Sequence, residues 1–244
     1  MLKTKISVLI SFLVCGCAQN AKNNESLEVT KFFYGENNLK YHKNELNVFI
    51  GAGSSNPKSN ILRGVNGGVS AIVKKESYGC VNFFYTILIE SNFNFSMGGK
   101  ILGIYGGNPK SNKNLNKYNN GFSARVNWGK NGVIGLYVYY DNNIDYGKFF
   151  SDGKSLAVGN NDIKLVACVN DVSEDVDINL CLDKHMAAKV RGLSFRGGKS
   201  IDGIFLDIFF GGDGKDYEAK EDYNIKITNI SYRKASKNEL QAEC

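Results

Sequence analysis

Two short runs set polar side chains at alternate positions between apolar ones. In NGFSARVNW a period of two places Phe122, Ala124, Val126 and Trp128 on one face and Ser123, Arg125 and Asn127 on the other. In IGLYVYY it places Leu136, Val138 and Tyr140 on one face and Tyr137 with Tyr139 on the other. If the two polar faces align, a fixed guanidinium charge, an alcohol and two phenols meet in one patch, a set able to hold an anion and exchange protons. The same letters also describe a solvated outer face with aromatic cross-strand pairs. Lys100 stands in GGKILGIYGG, where paired glycines close both ends of a short apolar run. Glycine supports a strand interior poorly, and a solvated lysine needs no such frame.

Register decides whether the patch exists. A two-residue turn at Asn131-Gly132 would place Val138 opposite Arg125 and turn the tyrosines to the wrong side. A shared face therefore requires an odd-length loop or a bulge within WGKNGVIG, where Gly129, Gly132 and Gly135 permit either.

The elements that must carry these residues are strands. ELNVFIGAG, GVSAIVKK, CVNFFYTILIE, GFSARVNW, IGLYVYY, IKLVACV, DINLCLD, GIFLDIFFGG and YNIKITNISYRK are β-branched or aromatic, and turn residues bound most of them. Thirteen Tyr, 15 Phe and 27 Gly against two Pro suit many strands joined by Gly and Asn turns. SEDVDINLCLDKHMAAKV has room for one helical turn, and no long amphipathic helix is evident. With 244 residues, 43% of them apolar, one domain is expected: an all-β antiparallel sandwich of jelly-roll type over residues 46–234. A polar leader, 19–45, precedes it, and a tail, 235–244, follows.

Residues 1–18 read as a secretory signal, with a basic MLKTK, an apolar ISVLISFLVCGC too short to span a bilayer, and small residues at Gly16-Cys17-Ala18. A secreted, extracellular product is expected. The alternative is a lipid anchor on Cys17, from the imperfect lipoprotein box Val14-Cys15-Gly16-Cys17, and a membrane is a partner only in that case. Losing Lys3 and Lys5 takes the formal charge from +6 to +4. Four cysteines remain, Cys80, Cys168, Cys181 and Cys244, enough for two disulfides by three pairings. Cys168 with Cys181 is the favoured pair, because each sits in a strand-like run and a short polar connection separates them; two buried thiols are the alternative. No cysteine has zinc-ligand spacing, and His42 and His185 are the only histidines, so no metal is expected.

Other patterns carry less. GAGSS after NVFI has the look of a dinucleotide loop, but Pro57 follows at once and no helical pattern succeeds it, so it reads as a turn. NPKSN at 56–60 and again at 108–112 reads as two Asn-Pro turns. Asn24-Glu25-Ser26, Asn94-Phe95-Ser96 and Asn229-Ile230-Ser231 fit the glycan acceptor pattern in a chain rich in asparagine.

GGKILGIYGG, GFSARVNW and GLYVYY, in that order and spacing, resemble the successive signatures of polysaccharide lyase family 14, the alginate and glucuronan lyases of jelly-roll fold. LSFR and IFFGG resemble that family's late strands, and the likeness runs over about residues 75 to 232. The resemblance implies that Lys100, Ser123, Arg125, Tyr137 and Tyr139 occupy active-site positions, and that the glycine frame brings backbone close to a sugar chain while Lys100 points into a cleft. It implies an acidic polysaccharide substrate, alginate, glucuronan or similar, and no cofactor. Two departures bear on which sugar is bound: Gly129 follows Trp128 where a basic residue is more typical, and Leu206-Asp207 stands where small hydroxyl residues are usual.

The implied reaction is β-elimination at a uronic acid. Removing the proton beside the carboxylate creates an enolate-like dianion, so the site must offer positive charge or donors there and a base near the carbon. Arg125 would clamp the carboxylate with help from Ser123, and Lys100 or a tyrosine, Tyr137 or Tyr139, would be the base. Neighbouring cations or burial would lower a lysine, and cations would lower a tyrosine, toward working pH. A non-catalytic carbohydrate-binding or surface-coat protein is the alternative; with so mild a charge no nucleic acid is expected as a partner.

Overall fold

The computed structural model describes residues 27–42, 44–107, 121–140, 147–170, 172–194, 200–242 and 244. In chain order the strands are β1 (Lys31–Tyr34), β2 (Leu39–His42), β3 (Glu45–Ile50), β4 (Val69–Tyr78), β5 (Cys80–Ile89), β6 (Gly98–Gly107) and β7 (Gly121–Gly129). They continue with β8 (Ile134–Tyr139), β9 (Lys148–Phe150), β10 (Gly159–Val169), β11 (Val176–Leu182), β12 (His185–Leu193), β13 (Ile201–Phe210) and β14 (Tyr223–Lys234). Two short helices are α1 (Pro57–Arg63) and α2 (Lys237–Gln241).

The strands form two antiparallel seven-stranded sheets, ordered β1-β4-β13-β6-β7-β8-β9 and β12-β11-β10-β5-β14-β3-β2. Their inner faces make one apolar layer, in which Phe122, Val126, Trp128, Leu136, Val138, Leu206, Ile208 and Phe210 of the first sheet meet Phe83, Tyr85, Ile87, Ile163 and Leu165 of the second. This is the expected all-β sandwich of jelly-roll type.

Several expectations change. The polar stretch read as a leader supplies β1 to one sheet and β2 to the other. Both are four-residue edge strands with alternate residues exposed, set among polar Asn, Lys and Glu residues. The first NPKSN starts a helix: the Asn56 side chain accepts from the Ser59 amide, Pro57 opens α1, and left-handed Gly64 closes it. A helix thus follows GAGSS after all, one of seven residues. The segment thought able to hold a helical turn is the β11–β12 hairpin, turned at Asp183 and Lys184 with φ of 48° and 67°. The signal segment, the second NPKSN and Asn24-Glu25-Ser26 lie outside the described residues.

The expected Cys168–Cys181 bridge is not formed. Antiparallel register sets Cys168 opposite Asp177 and Cys181 opposite Lys164, so four residues, about 13 Å of strand, separate the two sulfurs' backbones. Cys168 instead faces Cys80 directly across β10 and β5 and bonds to it, and Cys181 bonds to Cys244.

Candidate functional site

β6, β7 and β8 are neighbours in the first sheet, and its outer face carries the candidate residues. The β7–β8 connection is odd. Gly129 and Val133 close it, with Lys130–Gly132 between them and left-handed backbone at Asn131 (φ 61°) and Gly132 (φ 75°). Arg125 therefore lies opposite Tyr137 and Ser123 opposite Tyr139, while Phe122, Val126, Trp128, Leu136 and Val138 are buried in the core.

Lys100 reaches the same face through a bulge. It pairs with Asn127, yet Gly103 pairs with Arg125 and Tyr105 with Ser123, so β6 spends three steps where β7 spends two. Ile101 and Leu102 both join the core across that step, and the parity of the strand reverses. The glycines answer to packing within the sheet. A Cβ at Gly99 would collide with the Trp128 indole, and one at Gly103 with the backbone of Ala124 and Arg125.

Within the patch the side chains form two tiers. Ser123 and Arg125 are buried, Arg125 to 1% exposure. Its Nη1 donates to Asp207 Oδ2 at 2.5 Å, and Asp207, also 1% exposed, accepts from the Ser70 hydroxyl at 2.6 Å through Oδ1. The guanidinium carbon lies 4.8 Å from the Tyr139 ring centroid and 5.0 Å from that of Phe205. Nε and Nη2, the edge that serves bidentate recognition, make no hydrogen bond among the described residues. Lys100 and Tyr137 are half-buried above this layer. Lys100 Nζ sits 5.2 Å from the Tyr137 centroid and 5.1 Å from that of Phe209, and the Tyr137 and Tyr139 rings meet edge to face at 5.4 Å.

Burial, with the Arg125 charge adding to it and Asp207 opposing it, lowers the Lys100 ammonium to about 7. Tyr137 moves the other way from expectation: burial first, then its neighbour Tyr139, pushes it up to about 12 against the smaller pull of Arg125. An amine free to accept a proton near neutrality thus lies against a phenol that keeps its own.

Sequence reasoning gathered five residues here and missed the acid beneath them. Asp207 was noted as a departure, and the alternation of IFLDIFF carried its place, since Leu206, Ile208 and Phe210 fill the core and Phe205, Asp207 and Phe209 must face outward.

The fold and this face define a β-sandwich with a basic and phenolic patch on the outside of one sheet. The family model described as polysaccharide lyase 14 matches residues 38–230, and the chain belongs to that family. Among solved structures it is similar to the alginate lyase Aly36B, with 15% identity over 84% of this chain and 86% of that one and a TM-score of 0.67. It is also similar to the marine PL-14 alginate lyase from Aplysia kurodai, at 21% identity, 85% and 92% coverage and a TM-score of 0.65. The alginate lyase vAL-1 from Chlorella virus gives 15% identity, 85% and 100% coverage and a TM-score of 0.62. Variants of Aly36B have been solved with an alginate trisaccharide and an alginate tetrasaccharide. No curated protein matches the sequence.

Proposed function

We propose that this family member is a secreted lyase that cleaves a uronic-acid polymer, alginate or glucuronan in type, by β-elimination on the outer face of β6, β7 and β8. The observation that carries the reading is the placement of Lys100 Nζ 5.2 Å from the Tyr137 ring, on one face with Arg125. The neutral Lys100 amine takes the proton from the carbon bearing the carboxylate. That electron pair becomes the new carbon–carbon double bond as the glycosidic C–O bond breaks, and Tyr137, a phenol still protonated, supplies the proton to the departing oxygen. Arg125 and Ser123, expected to clamp the carboxylate, lie buried beneath Lys100 and Tyr137, so the Arg125 charge acts on the growing carboxylate charge from below, through a low-dielectric layer, rather than by direct contact. The base falls to Lys100 because a phenol held near 12 is almost wholly protonated at neutral pH. Alginate oligosaccharides bound to a lyase of similar fold support the substrate class, and two disulfides support an oxidising compartment.

One observation favours a binding protein instead: Asp207 already neutralises Arg125, which weakens its hold on a carboxylate. Incubation with alginate and, separately, glucuronan, followed by the ultraviolet absorbance of the unsaturated end, decides between them. Lys100→Arg should lose turnover as fully as Lys100→Ala, because a guanidinium stays protonated at any working pH, while binding of the polymer survives better in the arginine variant. Near-wild-type turnover in Lys100→Arg would remove Lys100 from proton transfer.

A further inference from the structure

The far side of the sandwich holds a cavity of about 790 Å³ between the outer face of the second sheet and the α2 segment. Asp177, Asn179, Lys189 and Arg191 reach it because the alternating residues Val176, Ile178, Leu180, Ala188 and Val190 point into the core. Its charged lining is Lys184, Lys189, Arg191 and Lys237 against Asp177, whose Oδ1 is occupied by the Gly192 amide at 2.8 Å. Glu239 of α2 is turned away, to Arg233 at 2.7 Å and Asn82 at 3.0 Å. The groove is therefore positive.

Its walls are fixed. Arg191 donates through Nη1 to the carbonyls of Val190 (2.8 Å) and Ile178 (3.2 Å) and through Nη2 to Asn179 Oδ1 (2.7 Å). Asn179 in turn donates to the Leu240 carbonyl at 2.6 Å, which ties α2 to the sheet. Leu240 packs on Cys80, Val166 and Cys168 in a small apolar cluster of its own, and the Cys181–Cys244 bond closes the other end. Among the described residues no ion pair engages Lys184 or Lys189, and both are exposed. A braced channel that carries two exposed lysines, Lys184 and Lys189, on the sheet opposite the candidate site is suited to a linear polyanion.

We infer that this groove is a second, non-catalytic binding site for a stretch of acidic polysaccharide. The identity of the polymer rests on the proposed lyase reading; the charge of the occupant does not. Engaging one part of a long chain here raises the local concentration of the rest at the opposite face.

The test uses the full chain and sodium alginate. Lys184→Ala/Lys189→Ala, made in a Lys100→Ala background so that the polymer stays uncut, should weaken polymer binding roughly five- to tenfold at low salt, with the difference shrinking at high salt. Arg191 is left intact because it braces the wall. The same double substitution in the otherwise wild-type chain should leave the melting temperature and kcat/KM for an alginate tetrasaccharide unchanged. Unaltered polymer affinity, an equal loss on the tetrasaccharide, or tighter binding of a single-stranded oligonucleotide than of alginate overturns the inference. If the wild-type chain cleaves neither uronate polymer but the double variant still loses alginate affinity, the lyase reading falls and the groove stands.

Discussion

Asp207→Asn should destabilise the protein more than almost any other single change of equal volume. The substitution keeps the shape of the side chain and an oxygen for Ser70, and removes only the charge that compensates Arg125. Both partners are 1% exposed and 2.5 Å apart, so no solvent is at hand to replace the lost carboxylate. Breaking a buried pair from one side costs about 3–5 kcal/mol, which for a chain of this size lowers the melting temperature by roughly 6–20 °C. The paired replacement Arg125→Met/Asp207→Leu should recover most of that stability while abolishing activity, because two apolar side chains leave no buried charge stranded. The same carboxylate opposes the lowering of Lys100, so in Asp207→Asn the amine should titrate at still lower pH and the acid limb of the rate profile should move acidward. Thermal melts with the disulfides intact measure the first effect, and kcat/KM against pH the second. A single variant that melts within about 1–2 °C of the wild type would refute the account of a buried, mutually dependent pair.

In the wild type, kcat/KM should rise through about pH 7 as the Lys100 ammonium gives way to the amine, with no such limb left in the residual rate of Lys100→Ala; a flat profile from pH 5 to 9 would exclude the neutral amine as base. Tyr137→Phe keeps the ring beside Lys100 and loses its proton, so turnover should fall by roughly 10²–10⁴ while the substrate requirement changes little, as steady-state kinetics on one uronate polymer will show. The two disulfides close sequence separations of 88 and 63 residues, and reducing them should cost about 2–4 kcal/mol each, read as a lower melting temperature with reductant.

The strands of the site were legible because each buries one face, and burial on one side writes a period of two into the letters. Phe122, Val126 and Trp128 against Ser123 and Arg125 leave no doubt which side is inward. Their relative register was not legible. Gly129, Gly132 and Gly135 admit loops of either parity, and the choice depends on backbone conformation at Asn131, which composition does not encode. Asp207 escaped notice as a partner for Arg125 because the two lie 82 positions apart and meet only when β13 and β7 flank β6. The cysteines failed for a related reason: nearness in sequence favoured Cys168 with Cys181, whereas antiparallel pairing brings Cys80, 88 positions away, directly across. β1 and β2 were missed because each is only four residues long, too short to show a period of two, and the residues around them are polar.

The extra residue in β6 makes segment length a functional variable in its own right. Losing either Ile101 or Leu102 would leave every letter of the patch in place, yet a strand without its bulge would turn Lys100 inward or push Tyr105 off the face it shares with Ser123. A one-residue deletion there is thus a heavier lesion than many substitutions of the site's own members. Any transplant of the patch into another sandwich has to carry that count of residues with it as well as the letters.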